Sequence, residues 1–312
     1  MNDRAISKVA LALAASTLVA WTAAADDAVT LAWKFKKGQQ LGYVVEQSTT
    51  SEGQFAGQTI KSTVSQTMDM QWTIDSVAAD GIAQMTQTIS RVRLKVTQPG
   101  APGIEYDSSS KEAPQGAAAQ IGAVFKLLVG KPVKLKMSPR GTISDVTLPE
   151  GLAEEMKKSA GPTGAMLNEE SFKQMTGAST IEFADHPVKK GDTWQSKATM
   201  SNPAAGGKQT TDTTYTYQGT EKEHGKQIDR IDVSLKTSIA PAGAGSPQIE
   251  IKDQKSEGDI DFDRAAGHVV KSHAKLKMSM AINLMGTKVD QTATTETTMR
   301  LADGAAGKPS DK

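Results

Sequence analysis

The sequence of 312 residues contains no cysteine and few aromatic residues, namely four tryptophans, four tyrosines and six phenylalanines. Without cysteine the chain can have no disulfide framework, no thiolate metal site, no cysteine nucleophile and no lipid-modified cysteine behind a signal sequence. The fold therefore has to be stabilised by burial of apolar surface and by hydrogen bonds between strands.

The sequence also lacks an excess of charge of either sign, with 36 Lys and Arg against 35 Asp and Glu. Proteins that bind nucleic acid neutralise many phosphates with clustered Lys and Arg, and they are usually strongly basic. Basic runs with interleaved aromatic residues are absent from this sequence. The composition therefore argues against nucleic acid as a partner.

The long apolar run of the sequence lies near its beginning, at residues 9–21, behind Arg4 and Lys8. The small residues 23–25 follow it and precede Asp26. This three-part pattern is typical of a cleaved signal peptide, and the run is too short for a transmembrane helix, which needs about 20 apolar residues. We expect residues 1–25 to be removed on export to the periplasm or the cell exterior, and no transmembrane segment in the mature chain. An uncleaved anchor is the alternative.

Alternation of apolar and polar residues dominates the mature sequence and indicates antiparallel strands with one buried face. Met68, Met70, Trp72 and Ile74 alternate with polar residues, and the pair Asp80-Gly81 then favours a hairpin turn. The return strand, 82–96, changes phase in its middle, which predicts a one-residue bulge near Ser90 or Arg91.

Three segments of the first half resemble three segments of the second half in the same order. Residues 89–96 match 228–235, the lead-in 35–38 matches 188–191, and the turn 138–143 matches 263–270. We interpret this as an internal repeat of one β-rich unit, at about 29–148 and 180–301. The alternative is that alternating strands resemble one another by composition alone.

The period changes to that of a helix at 115–129, where Ala118, Ile121, Phe125 and Leu128 form an apolar stripe. This helix is expected to cover the inner face of the first sheet, because a one-sided sheet must bury that face. Two shorter helices are predicted at 150–159 and 168–175, on either side of a linker at 161–164.

The predicted fold class is mainly β (α+β), with two tandem, related, curved antiparallel sheets or half-barrels and a few short helices. The predicted units are the signal peptide 1–25, a first β-rich repeat 26–149 with its inserted helix, a helical linker 150–179, a second β-rich repeat 180–301 and a disordered tail 302–312.

Catalytic and metal-binding motifs are not recognisable in the sequence. The alternating Asp259, Asp261 and Asp263 resemble the start of a calcium loop, but Arg264 and Val270 stand where that loop needs Gly and Glu. We interpret them as a strand with a solvated acidic face. The cluster 106–108 is interpreted as a structural turn. No catalytic residue, metal ligand or cofactor is predicted.

Several short motifs together resemble an uncharacterised family of secreted bacterial proteins. They are residues 33–38 leading to Tyr43, 106–108, 128–133 running to 139–141, and 187–194. The resemblance implies little about activity. In outline, a curved sheet beside a helix is also similar to the periplasmic lipoprotein carriers, in which helices plug an apolar cavity.

The leading functional hypothesis is an exported, non-catalytic cell-envelope protein that binds an apolar or amphipathic ligand between sheet and helix, because flexible methionines lie on the predicted inner faces. One alternative is a structural or protein-interaction module of the envelope, with another envelope protein as partner. The other alternative is a hydrolase with no recognisable motif. The candidate ligand-binding residues are Met70, Trp72, Ile121, Phe125, Leu128, Met278 and Met280.

Overall fold

The structure, a computed structural model, describes residues 28–55, 58–165, 168–202, 207–223, 225–241, 248–284 and 287–302. The predicted signal peptide 1–25 and nearly all of the predicted tail 302–312 lie outside these residues. In the described part of the chain, no helix is both long enough and apolar enough to cross a membrane.

Strands dominate the described residues, which confirms the predicted mainly β class. Their bounds are β1 Gln40–Phe55, β2 Gln58–Val77, β3 Ala83–Thr97, β4 Ile104–Asp107, β5 Val133–Met137, β6 Ile143–Thr147, β7 Thr193–Asn202, β8 Gly207–Glu223, β9 Lys226–Pro241, β10 Gln248–Asp263, β11 His268–Leu284 and β12 Thr287–Leu301.

The strands of both halves belong to one antiparallel sheet of 12 strands. Its order is β6-β5-β3-β2-β1-β12-β11-β10-β9-β8-β7, with β4 paired to β3. The two sheets expected from the sequence are joined by β1 and β12, which pair from Tyr43–Leu301 to Gly53–Gln291. The strands of the first half, β1–β6, form one meander, and those of the second half, β7–β12, form the other. The pair β1–β12 joins the two meanders at the centre of the sheet, whose edges are β6 and β7.

The hairpin of β2 and β3 follows the predicted pattern. Gly81 has a φ of 82°, as the tight turn after Asp80 requires. The register shifts between Asp69 and Met70, opposite Ser90, which confirms the predicted bulge. The bulge keeps apolar residues on one face on both sides of the shift.

The described residues contain three helices: α1 Ala117–Leu128, which lies within the first half, and α2 Leu152–Ala165 and α3 Glu169–Ser179, which lie between the two halves in sequence. Helix α1 matches its prediction. Helix α2 runs through the predicted linker at 161–164, so the two predicted helices are not separated there. Asn168 caps α3, and its side chain accepts a hydrogen bond from Ser171 N at 2.9 Å.

One buried core is built by both halves at a single end of the sheet. We call this the core end; it is where the turns β2–β3, β8–β9 and β10–β11 lie. Ile143 of β6 and Trp194 of β7, at opposite edges of the sheet, belong to the same cluster of buried side chains. The sheet is therefore curled around its core, although β6 and β7 do not pair.

The segment that leads into each half forms an equivalent pair of backbone hydrogen bonds with a strand of that half. Gly38 N donates to Ile74 O and Gly191 N donates to Tyr217 O, both at 2.8 Å. Ile74 N donates to Gln39 O and Tyr217 N donates to Asp192 O, both at 2.9 Å. These bonds lie in the lead-in segments that resemble each other in sequence, but the internal repeat itself stays a prediction.

Candidate ligand-binding face

The face of the sheet that carries the core is almost free of charge along its whole length. We call it the inner face. Along β1, β2 and β8–β12, as far as they are described, two charged residues are in register with it: Asp229, which is fully buried at the core end, and Lys222, which is exposed at the end of β8 beyond Asp229. The opposite face of β11 carries Lys271, Lys275 and Lys277. Bulges and strand register thus sort the charges onto one side.

The inner face continues well beyond the core. Away from the core end most of its side chains are half-buried or exposed, and Val64 and Ile60 of β2 are 37% and 41% exposed. This uncovered part of the inner face we call the trough. Its apolar side chains on the central strands and β9–β11 include Val45, Met68, Val64, Leu276, Met278, Met280, Ile251 and Leu235.

Many polar side chains of the trough bond to the sheet itself. The hydroxyl groups of Thr49 and Thr295 lie 3.0 Å apart, and those of Thr211 and Thr237 lie 3.4 Å apart. Ser256 bonds to the backbone of Leu235. A buried polar group is costly mainly when it has no hydrogen-bond partner. Covering the trough with an apolar molecule would therefore leave these groups satisfied.

Of the predicted ligand-binding residues on strands, three lie on the inner face and are half-buried: Met70, Met278 and Met280. Trp72 is only 7% exposed. Its ring centroid lies 5.0 Å from that of Tyr43 and 5.9 Å from that of Trp33, so Trp72 is part of the core.

The predicted residues on α1 lie at the first half of the sheet. Phe125 stacks on Tyr106 of β4, with ring centroids 5.7 Å apart. Tyr106 is in register with Leu94 on the inner face, so α1 covers that face at β3 and β4. Ile121 is half-buried, and Leu128 packs against a separate cluster that contains Leu152. The structure thus places α1 at one side of the trough, and β12, β1 and β2 separate β3 from Met278 and Met280.

Helix α3 spans the gap between the two edges of the sheet. Glu169 accepts a hydrogen bond from Leu148 N, just after β6, at 3.3 Å. Gln174 accepts one from Ser201 N of β7 at 3.2 Å. Phe172 packs against the main core and against the cluster of α2. Side chains of α3 therefore bond to the backbone of both edges, which would otherwise be open to pairing with another strand.

The candidate turn at 106–108 has a structural role. Asp107 accepts hydrogen bonds from Arg91 Nε at 3.0 Å and from Arg91 Nη2 at 2.5 Å, and this hydrogen-bonded guanidinium holds the pKa of Asp107 well below its usual range. Ser108 Oγ accepts from Val92 N, and Ser108 N donates to Val92 O, both at 2.9 Å. The two residues fasten the end of β4 to β3.

A buried carboxylate at the core end was missed by sequence reasoning. Asp229 accepts hydrogen bonds from Tyr217 Oη at 2.7 Å and from Thr220 Oγ1 at 2.6 Å. Burial raises the pKa of Tyr217 to about 12; the hydrogen bond with Thr220 opposes this rise, and the hydrogen bond to Asp229 adds to it. Asp229 faces inward because it alternates in phase with Ile231 along β9, and the register shift beside Gln218 of β8 places Thr220 opposite it.

The acidic residues of β10 also differ in part from their prediction. Asp259 is exposed, whereas Asp263 is 3% exposed and accepts a hydrogen bond from Ala266 N at 2.8 Å. The predicted solvated acidic face therefore ends before Asp263, because that side chain closes the turn between β10 and β11.

Two open clefts lie away from the trough. One, of about 730 Å³, is lined at the N-terminal ends of α2 and α3 by Glu150, Glu154, Glu169 and Glu170 with Lys173. The other, of about 570 Å³, lies beside β4 and is lined by paired charges that include Arg93 and Asp107. Both clefts have charged side chains in their lining, whereas the trough carries almost none.

The model of the family of unknown function DUF6263 matches residues 80–301, which is more than half of the chain. No curated protein matches the sequence. Among solved structures, lipovitellin is similar with a TM-score of 0.48 and 15% identity, covering 89% of this chain and 27% of its own. This chain therefore spans about a quarter of the lipovitellin chain.

Two further structures are less similar. A putative outer membrane lipoprotein-sorting protein domain from Vibrio parahaemolyticus has a TM-score of 0.16 and 9% identity, covering 86% of this chain and 88% of its own. An outer membrane channel from Pseudomonas putida F1 has a TM-score of 0.24 and 9% identity, covering 86% of this chain and 97% of its own.

Proposed function

The chain belongs to DUF6263, a family of unknown function, and we propose from its own geometry that it binds the apolar part of an amphipathic ligand in the trough without chemical conversion. The observation that carries this proposal is an inner face that continues, uncharged and half-exposed, far beyond the core. Its methionines adapt to chains of irregular shape. Covering apolar surface contributes about 25 cal/mol per Å², so even one chain laid across the trough would gain substantial affinity.

The ligand is held apart from water by the sheet and not by a deep cavity. Both open clefts lie elsewhere and are lined by charged side chains, whereas the trough offers methyl, methylene and thioether groups. The polar end of an amphipathic ligand would lie at the rim of the trough, where it stays hydrated.

The proposal includes export to the cell envelope, supported by the signal pattern of residues 1–25. Protein secreted by a bacterial host should start at Asp26, and N-terminal sequencing of the exported form measures this. A chain that keeps residues 1–25 and stays in the membrane fraction would contradict the export proposal.

The binding proposal is tested with purified mature protein and a fluorescent long-chain fatty acid. We expect saturable binding, and about tenfold or greater weakening by Leu276→Glu, because a carboxylate within the trough must be desolvated. Lys277→Glu, the next residue on the opposite face, is the matched control and should bind as the unchanged protein does.

Native mass spectrometry of protein isolated with its own cell lipids provides the second readout. Bound lipid supports the proposal. Protein that carries no lipid and does not bind the fatty acid, but crosslinks in cells to a specific envelope protein, would establish the interaction module in its place.

A further inference from the structure

Backbone pairing between β9 and β10 stops in the middle of the sheet. The last backbone-paired residues are Val233 and Gly258, although both strands continue for several residues toward the far end. Beyond this point β10 stays paired with β11, and β9 stays paired with β8. Along this stretch β8 with β9, and β10 with β11, form two parts of the sheet that side chains bridge in place of backbone pairing, and we call these parts leaves. We call the line between them the seam.

Side chains of β10 take the place of backbone groups along the seam. Ser256 Oγ accepts a hydrogen bond from Leu235 N at 2.6 Å and donates one to Leu235 O at 2.9 Å. Gln254 Oε1 accepts from Thr237 N at 2.8 Å, and Gln254 Nε2 donates to Thr237 O at 3.0 Å. Backbone-paired strands lie about 4.8 Å apart, and interposed side chains hold β9 and β10 further apart than that.

Gly258 stands where the leaves diverge. A Cβ atom at this position would lie 2.5 Å from His273 O and 3.1 Å from Ala274 Cα, so only glycine lets β10 approach β11 this closely. The register between β10 and β11 shifts again between Ile251 and Asp253. These two features draw β10 toward β11 and away from β9.

Apolar side chains line the inner face on both sides of the seam. Leu235 and Ile239 lie on one wall, and Ile251 with Met280 lies on the other. All four are half-buried, and none is charged. Because Ser256 and Gln254 turn toward β9, the floor between the walls has its polar groups bonded within the sheet.

We propose that the seam is the ligand subsite of the trough and that it holds one long aliphatic acyl chain lying along β9 and β10. This rests on the proposed function and assigns the position and the chemical class of the bound group. An uncharged, unbranched chain fits a narrow groove with apolar walls. Its headgroup would lie at the far end, outside the groove.

An extended peptide is the competing occupant of a gap between strands, and the hydrogen bonds argue against it. An inserted strand needs free backbone N–H and C=O groups on its neighbours. Those of Leu235 and Thr237 are already bonded to Ser256 and Gln254. An acyl chain needs none of them.

Since the chain has no cysteine, single thiols can report where the ligand lies. Three variants, each carrying one fluorophore, are compared: Ile239→Cys on the seam wall, Val64→Cys on the inner face of β2, and Lys236→Cys on the opposite face of β9. The probe ligand is a long-chain fatty acid with bromine on its chain, which quenches a fluorophore in contact with it.

We expect strong quenching at residue 239, weak quenching at 64 and none at 236. Quenching at 64 without quenching at 239 would overturn the seam as the subsite and leave the proposed function intact. Fatty acid that fails to bind or to quench at either inner position would overturn both.

A blocking variant supplies an independent readout. Leu235→Trp should fill the groove and weaken fatty-acid binding about tenfold, which corresponds to the loss of about two methylene groups of apolar contact. Ser234→Trp, on the opposite face, is the control for folding and should bind normally. Unchanged binding by a folded Leu235→Trp protein would count against the seam. Binding of an uncharged extended peptide in place of the fatty acid would do so as well.

Discussion

Arg264 Nε, in the turn between β10 and β11, lies 3.3 Å from Oδ2 of Asp229, a carboxylate with no exposed surface. The arginine supplies the charge that compensates a buried anion, and it joins the turn to β9. The pair therefore links the turn between β10 and β11 to β9 at the core end of the sheet.

Removal of this arginine should destabilise the protein strongly. We expect Arg264→Ala to lower the free energy of unfolding by about 3 kcal/mol, since it leaves a buried carboxylate without its counterion. Urea denaturation followed by tryptophan fluorescence measures the change. The control is Arg300→Ala, whose partner Glu46 is 4.0 Å away at the surface, with an expected loss of less than about 1 kcal/mol. Combining Arg264→Ala with Asp229→Asn should recover part of the loss; a purely additive result would contradict the pairing.

Stability should fall on acidification through His268, which is 5% exposed. Burial lowers the pKa of His268 from its usual 6.5, although the charge of Asp263 opposes this and Lys226 adds to it. The unfolded chain therefore takes up the proton first, so the contribution is complete above pH 6.5 and is lost as the pH falls toward the folded pKa. His268→Gln should flatten the slope of unfolding free energy between about pH 7 and 5. A slope that His268→Gln leaves unchanged would refute the assignment.

Trp33 lies at the centre of the aromatic core and is 3% exposed. Its ring contacts those of Phe35, Trp72, Phe183 and Phe262, with centroids between 5.9 and 6.2 Å away. Trp33→Ala should cost about 3–5 kcal/mol, the range for removing a large buried aromatic side chain. The exposed Met175→Ala should change stability by less than about 0.5 kcal/mol in the same denaturation experiment.

Alanine substitutions at Gly141 and Gly38 distinguish the cost of an unfavourable backbone conformation from the cost of a steric clash. Both have positive φ, 97° and 80°, but a Cβ at Gly141 would lie 2.1 Å from Ile181 O, whereas one at Gly38 meets nothing within 4 Å. Gly38→Ala should cost about 1–2 kcal/mol from the backbone conformation alone. Gly141→Ala should cost at least about 1 kcal/mol more, because the turn must move away from the segment before β7. Equal losses in thermal unfolding would show that the close approach is absent in solution.

Much of the local structure could be predicted from the sequence because it depends on neighbouring residues. The hairpin at Gly81, the bulge at Ser90, the strand His268–Leu284 and the helix around Phe125 follow from turn chemistry and from the period of apolar residues. The inner-face positions of Met70, Met278 and Met280 follow from alternation in the same way.

The sequence by itself determined the mainly β class and which face of most strands is apolar, since both are encoded at a spacing of two residues. Only the tertiary structure decided that β1 joins β12 in one sheet, that Trp72 belongs to the core, and that Asp229 is fully buried beside Arg264. The seam at Gly258 also appears only there. These features depend on register between strands far apart in the chain, and register is set by packing and hydrogen bonds that no local period contains.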